Sequence, residues 1–244
     1  MFLTSFASMI SFTLFFLVIV KSLGWILKKQ FPNLRKYETS IRKIISFNNT
    51  LYGILSGVYC ISFVLFHQKP QSSDLLIYIY YLSKIYEFLD IVLVIILNHA
   101  KKSDEGLSGH FAIHHITTLS LVWACFYAPS SMIMQEDRLL NKKTLLGEIH
   151  VAPIVTNTFH HFLMYIHLGG YIKMFGRLLP WSGGLQLVVG VLAVGSQVFE
   201  KIFLYGKWNI QAEVYVCVMY VIYFCCHIRD VRASSAPPKE NDSK

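Results

Sequence analysis

The chain has 244 residues, of which 54% are hydrophobic and 15% are charged, and its formal net charge is +8. This composition is too apolar for an ordinary soluble domain, and apolar runs of roughly 17 to 25 residues are long enough to cross a bilayer. The basic residues lie between these runs, where they report membrane orientation and can meet lipid head groups, so nucleic acid is not an expected partner. We therefore predict an all-α, polytopic membrane protein with one domain over residues 1–244.

Seven membrane spans are predicted from the apolar runs. Their approximate bounds are 9–27, 44–66, 75–97, 111–128, 148–169, 184–204 and 212–228. Loops on one side carry 14 Lys and Arg residues against 5 on the other, so the positive-inside rule predicts a lumenal or external N-terminus and a cytosolic C-terminus. Gly53, Ser56 and Gly57 in the second span are small residues that suit close helix packing. The polar tail over about 230–244 is expected to be disordered.

The third predicted span contains three charged residues. Lys84, Glu87 and Asp90 follow one another at intervals of three, so they share one face of a helix. Each charge near the middle of a bilayer costs roughly 2.5–3.5 kcal/mol, and mutual pairing offsets part of that cost. Two interpretations stay open: a buried ion pair that holds helices in register, or a functional cluster.

Histidines occur in two further spans. In the fourth, His114 lies one helical turn from His110 on the same face, and His115 is rotated by about 100°. In the fifth, Asn157, His161 and Tyr165 are spaced four apart on one face, with His160 beside them. A neutral imidazole can lie in a low-dielectric environment and still act as a nucleophile, a base or a metal ligand. Together the three spans predict a buried chamber that opens to the cytosol and suits covalent acyl chemistry, a metal pair or an ion pathway.

These motifs resemble those of the ELO family of very-long-chain fatty acid elongases. The resemblance covers about residues 40–205, and the order of the motifs and the seven-span layout match. Its strong motifs are Lys84-x-x-Glu87-x-x-Asp90, the His114-His115 box and Asn157-x-x-x-His161-x-x-Met164-Tyr165, and its weaker ones are Asn49 with Ser56 and Trp181 with Leu185-Gln186. The family box reads His-x-x-His-His, whereas His110 precedes His114 by four positions. Further departures are Ile91, Ile166-His167-Leu168, Gly183 and Val189.

The resemblance implies an acyltransferase of the endoplasmic reticulum membrane that condenses a long-chain acyl-CoA with malonyl-CoA. The products are 3-oxoacyl-CoA, carbon dioxide and CoA, and no cofactor or metal is expected. His114 would carry the acyl chain as an acyl-imidazole, with His115, His161 and Asn157 as the other catalytic residues. The residues expected to support them are Lys84, Glu87, Asp90, His110, His160, Tyr165 and Gln186.

The same resemblance implies partners. Besides the two CoA substrates and membrane lipid, these are a 3-oxoacyl-CoA reductase, a 3-hydroxyacyl-CoA dehydratase and an enoyl-CoA reductase, and a homodimer is a further expectation. By charge and predicted side of the membrane, the CoA phosphates would meet basic residues. The candidates are Lys101, Lys102, Lys173 and Arg177.

Two alternatives from other classes remain. A di-iron membrane desaturase or hydroxylase has histidine boxes that look similar, although such sites need more imidazole pairs than are found here. A non-enzymatic seven-helix transporter or receptor would account for buried Lys84 and Asp90 but not for the clustered histidines.

Overall fold

The structure is a computed structural model that describes residues 5–67, 70–101, 109–127, 151–204, 206 and 208–235. Every regular element in these ranges is a helix, which confirms the predicted all-α class. In chain order the helices are α1 (Phe6–Gln30), α2 (Glu38–Phe66), α3 (Pro70–Tyr86), α4 (Phe88–Lys101), α5 (Gly109–Phe126), α6 (Val151–Leu168), α7 (Phe175–Phe199) and α8 (Gln211–Ser235). A short 3₁₀ helix (Leu34–Tyr37) precedes α2, and a π-helical segment (Glu200–Leu204) follows α7.

Within the described ranges, four helical segments are long and apolar enough to cross a membrane. They are Phe6–Gln30, Leu34–Phe66, Phe175–Phe203 and Gln211–Arg232, and Ile113–Phe126 is a shorter apolar helix. These segments are compatible with a polytopic membrane protein. The predicted third span differs from a single apolar helix because it is divided between α3 and α4 and contains Lys84, Glu87 and Asp90. The fifth predicted span corresponds to α6.

The helices after α1 pack into a closed ring. Helix α2 packs along α6, α6 along α7, and α7 along α8. Helix α8 then packs on α5, α5 contacts α3 and α4, and both of these return to α2. Helix α1 packs against α4 and α5 and leaves Leu14, Phe15 and Val18 exposed, as a lipid-facing helix would. Because the ring encloses the inward faces of α3 to α6, the polar residues on those faces can meet inside it.

Small residues bring α2 close to α6. A Cβ atom placed on Gly53 would lie 3.0 Å from the Ile166 side chain, and one on Gly57 would lie 2.9 Å from the Phe162 ring. Since both distances are shorter than ordinary van der Waals contact, larger side chains at these glycines would push the helices apart. The predicted role of Gly53 and Gly57 in close helix packing is confirmed.

Two helix ends differ from the sequence-based expectation. The third predicted span is interrupted at Glu87, where the amide of Asp90 donates to the Glu87 carbonyl over three residues at 3.1 Å. At the C-terminus, α8 continues to Ser235, so the first six residues of the predicted disordered tail are helical. Residues 236–244 lie outside the described part of the chain.

Candidate active site

An ion pair lies at the interruption between α3 and α4. Lys84, in the last turn of α3, places Nζ 2.6 Å from Oε1 of Glu87. The side chains are 1% and 0% exposed, so both charges are removed from water. A buried pair is maintained when further hydrogen bonds satisfy the two groups. Here the Tyr52 hydroxyl donates to the same Oε1 atom at 3.0 Å, and the opposite oxygen, Oε2, has no hydrogen-bond partner among the described residues.

Asn157 on α6 connects this ion pair to α7. Its Oδ1 atom accepts hydrogen bonds from Lys84 Nζ and from the Tyr80 hydroxyl, both at 2.9 Å. Its Nδ2 atom donates to Oε1 of Gln186 on α7 at 2.8 Å. All the hydrogen-bonding atoms of the Asn157 side chain are thus engaged, which fixes the orientation of its amide. The predicted site residues Lys84, Asn157 and Gln186 therefore form one continuous network.

Two imidazoles lie near the Glu87 carboxylate. Nδ1 of His161 lies 3.2 Å from Oε1 of Glu87, and the His161 side chain is buried. His114 approaches from α5, so that one nitrogen of each ring and one Glu87 oxygen all lie within 4.8 Å of one another. The spacing within each helix predicted separate polar faces. The ring of helices brings these faces together, and we call Glu87, His114 and His161 the central triad.

His115 belongs to a neighbouring group. Its Nδ1 donates to the Phe111 carbonyl at 2.9 Å, and its Nε2 lies 3.6 Å from Oδ2 of Asp90. The Tyr165 hydroxyl donates to the same Asp90 oxygen. This group orients the His115 ring through α5 itself and through Asp90. His115, which was expected to be catalytic, is therefore held by its own helix and by Asp90 beside the central triad, with its ring centroid 5.5 Å from that of His114.

His160 faces a different neighbour from His161. Its Nδ1 atom lies 2.8 Å from the Ser182 hydroxyl on α7. Nearby, Nε2 of His227 on α8 donates to the Pro180 carbonyl at 2.9 Å. Gly183 lies between the two rings, because a Cβ atom placed there would come within 2.8 Å of His227 and 3.3 Å of His160. His160, predicted as a supporting residue, thus joins α6 to α7 and does not contact Glu87 in this arrangement.

Three tyrosines contact the site without having been predicted. Tyr52 and Tyr80 donate hydrogen bonds to Glu87 and Asn157, and the Tyr223 ring centroid lies 4.9 Å from that of His114. Spacing could have indicated the first two, since Tyr52 is four residues from buried Ser56 and Tyr80 is four residues from Lys84. Tyr223 lies among many aromatic residues of α8, and its sequence neighbours carry no corresponding signal.

The remaining predicted site residues either lie towards one end of the ring of helices or are not among the residues that the structure describes. Lys101 ends α4, Lys173 precedes α7 and Arg177 lies in its first turn, and all three are exposed. None of the three is among the side chains that contact the central triad in the described part of the chain. Lys102 and the side chain of His110 lie outside the described residues. The three described basic residues therefore lie at the end of the ring where α4 ends and α7 begins.

An apolar cavity lies beyond the polar network. Its lining includes Leu121 and Cys125 of α5, Ile154 of α6, Val194 of α7 and Tyr220 of α8. Tyr80 also lines it, and the Tyr80 hydroxyl donates to Asn157. The cavity thus begins beside the polar network and extends towards the end of α5 that is opposite the exposed basic residues.

The arrangement supports two kinds of chemistry. A ring nitrogen beside a second imidazole and a carboxylate can act as a nucleophile or a base, because its neighbours orient it and accept its proton. The same three side chains also supply two nitrogen ligands and one oxygen ligand for a metal ion.

Comparisons of the chain with protein families, with curated proteins and with solved structures find no match.

Proposed function

We propose that this protein is a fatty acid elongase that condenses a long-chain acyl-CoA with malonyl-CoA. The observation that carries the proposal is the meeting of His114, His161 and Glu87 inside a ring of apolar helices. An acyl-imidazole is a reactive acyl donor that water destroys, so it needs a nucleophilic ring kept away from bulk solvent. The likeness of the three motifs to those of the ELO family gives the same reaction and the same nucleophile.

In the first step, a nitrogen of His114 attacks the thioester carbonyl carbon of the acyl-CoA. The carbon–sulfur bond breaks, and CoA leaves as a thiol with the proton that the imidazole gives up. His161 and Asn157 polarise the reacting carbonyl, since donors aimed at a developing oxyanion lower the barrier. Lys84 and Gln186 hold the Asn157 amide by the hydrogen bonds described above.

In the second step, malonyl-CoA loses carbon dioxide, and the resulting carbanion attacks the carbonyl carbon of the acyl-imidazole. A carbon–carbon bond forms, the carbon–nitrogen bond to His114 breaks, and the imidazolate that leaves takes up one proton from solvent. The product is 3-oxoacyl-CoA, longer by two carbons. We assign no cofactor to either step.

The two ends of the ring suit the two parts of an acyl-CoA. Exposed Lys101, Lys173 and Arg177 offer positive charge to the CoA phosphates, with Lys102 as a further candidate. The cavity past Tyr80 has a volume of about 30 Å³, so a long acyl chain would enter only if the apolar side chains that line it move apart. We further propose seven membrane spans, with the N-terminus lumenal and the basic end in the cytosol, and residence in the endoplasmic reticulum. The two reductases and the dehydratase of chain elongation would then act on the product, and a homodimer is part of the same proposal.

The test is an elongation assay on membranes that carry the protein. Membranes are incubated with radiolabelled malonyl-CoA and a panel of acyl-CoAs, and label is expected in 3-oxoacyl products. His114→Ala should abolish incorporation while the amount of folded protein is unchanged. His67→Ala is the matched control, because it removes an imidazole that hydrogen-bonds carbonyls of its own helix, at the far end of α2. An active His114→Ala variant would exclude His114 as the nucleophile.

One observation favours a second candidate. Two histidines and one carboxylate are the ligand set of mononuclear non-haem iron oxygenases, so the central triad is also compatible with an oxygenase that holds a single iron, although not with the di-iron site of a membrane desaturase. Stoichiometric iron in the purified protein, together with no two-carbon extension of any acyl donor, would favour this second candidate over the elongase.

A further inference from the structure

We propose that the central triad is a binding site for a single Zn²⁺ ion and that the bound ion blocks acyl transfer. The binding site is inferred from the geometry of Glu87, His114 and His161 alone. Only the inhibitory effect rests on the proposed function. Zinc would act here as a reversible regulator of the site and would take no part in the condensation.

The spacing of the triad already approaches that of a zinc site. Zinc with three protein ligands and one open position is bound at about 2.0–2.2 Å, which places neighbouring tetrahedral ligand atoms about 3.3 Å apart. Nδ1 of His161 lies 3.2 Å from Oε1 of Glu87, so the carboxylate whose second oxygen, Oε2, would bind the ion is already beside this ring. One nitrogen of each ring and one Glu87 oxygen lie within 4.8 Å of one another. Side-chain rotations that move the ligand atoms by roughly 1.5 Å would bring the three groups to the spacing of a zinc site.

Glu87 has unused capacity for a cation. Lys84 and Tyr52 both donate to Oε1, whereas Oε2 is buried and has no hydrogen-bond partner in the described part of the chain. A buried carboxylate oxygen without a partner is costly, so a ligand that satisfies it is favoured. Because the carboxylate has two oxygens, it can keep Lys84 on one and hold the ion with the other.

The charge balance around the triad also favours a cation. Glu87 and Asp90 are two buried carboxylates, and Lys84 is the one ammonium group paired with them by a described contact. With neutral imidazoles this group carries one net negative formal charge. The Lys84 ammonium opposes a second cation nearby, but its hydrogen bonds to Glu87 and Asn157 fix it on the α3 side of the carboxylate. Neutral imidazoles with one carboxylate suit Zn²⁺, whereas Mg²⁺ and Ca²⁺ prefer sites made of oxygen ligands.

Zinc and the acyl chain compete for the same atom. A His114 nitrogen that donates its lone pair to zinc cannot attack a thioester carbonyl. Inhibition should therefore follow zinc occupancy and should be relieved by a chelator. Acyl-CoA added before zinc should protect the enzyme, because an acylated ring offers no lone pair to the ion at that nitrogen.

The experiment measures imidazole reactivity in the intact wild-type protein, so it does not depend on a variant that folds. Detergent-purified protein is modified with diethylpyrocarbonate with and without ZnCl₂, and each histidine is followed by peptide mass spectrometry. Zinc should slow modification of His114 and His161 at least about tenfold, as expected for ring nitrogens bound to a metal. His227, which hydrogen-bonds Pro180 and lies outside the triad, is the internal control. Equal modification rates at His114 and His161 with and without zinc would overturn the proposal.

Variants and activity separate this inference from the proposed function. His161→Gln should weaken zinc binding, measured by calorimetry, by about 10-fold or more, while His227→Gln should leave the affinity unchanged. Unchanged affinity in His161→Gln would also overturn the site. If zinc protects both histidines but no acyl donor is extended in metal-free buffer, the binding site stands and the elongase proposal fails. If extension occurs and zinc protects neither ring, the elongase proposal stands and the zinc site fails.

Discussion

Lys84 and Glu87 pair at the interruption between α3 and α4, with Lys84 Nζ 2.6 Å from Glu87 Oε1 and both side chains almost fully buried. Lys84 lies in the last turn of α3, and Glu87 lies between α3 and α4. Three other helices contact this pair directly or through one residue. Tyr52 of α2 and His161 of α6 lie at the Glu87 carboxylate, and Asn157 of α6 accepts from the Lys84 ammonium. Gln186 of α7 accepts from Asn157. Loss of either charge would therefore affect several helices at once.

The first prediction concerns the stability of this ion pair. Lys84→Met should lower the free energy of unfolding by about 3–5 kcal/mol, because it leaves the Glu87 carboxylate buried without its counter-charge. The double variant Lys84→Met/Glu87→Gln should lose less than the sum of the two single variants, with a coupling energy of about 0.5–3 kcal/mol. Unfolding in mixed detergent micelles measures both values. Strictly additive losses would show that the two charges do not stabilise each other.

The second prediction concerns two glycines of α7. A Cβ atom on Gly190 would collide with the Tyr220 ring of α8, whereas nothing lies within 4 Å of one on Gly195. Gly190→Ala should therefore destabilise the α7–α8 contact by about 1–3 kcal/mol, as overpacking does. Gly195→Ala should be neutral or stabilise by up to about 1 kcal/mol, because alanine is the better helix former.

The same unfolding assay compares these two variants directly. Because both substitutions add one methyl group to the same helix, the difference between them reports only what the methyl group meets. Equal stabilities for Gly190→Ala and Gly195→Ala would contradict the close approach of α7 to α8 at Tyr220.

The third prediction separates the two roles of Asn157. Asn157→Asp keeps an acceptor for Lys84 and Tyr80 but removes the donor that Gln186 accepts and that would polarise a carbonyl. The variant should fold, and its kcat for condensation should fall about 10²-fold or more, the effect of losing one such donor. Thr156→Val, at the neighbouring position where the hydroxyl bonds only carbonyls of its own helix turn, should retain wild-type kcat. A fully active Asn157→Asp variant would exclude the amide from carbonyl polarisation.

Much of the helical architecture and several elements of the site follow from local sequence. Apolar runs located the helices, and Gly53 and Gly57 indicated close packing that the α2–α6 contact bears out. Spacing of four placed Asn157, His161 and Tyr165 on one face of α6. Spacing of three placed Lys84, Glu87 and Asp90 together on the third span.

Sequence spacing does not predict which side chain each of these residues contacts. Glu87 meets His161, whereas Asp90 meets Tyr165 and lies near His115. No Pro or Gly near Glu87 indicates the interruption, so the sequence predicts a continuous helix there. Tyr223 reaches His114 only because α8 packs on α5, and packing between helices so distant in sequence leaves no periodic signal in either one.

Trapping the intermediate shows whether an imidazole on α5 carries the acyl chain. Purified protein is incubated with a long-chain acyl-CoA in the absence of malonyl-CoA, and its peptides are analysed by mass spectrometry. An acyl adduct is expected on His114, and it should disappear when malonyl-CoA is added, with the acyl group recovered in 3-oxoacyl-CoA. An acyl group found only on another residue, or turnover with no acylated histidine at any time point, would contradict this role of His114.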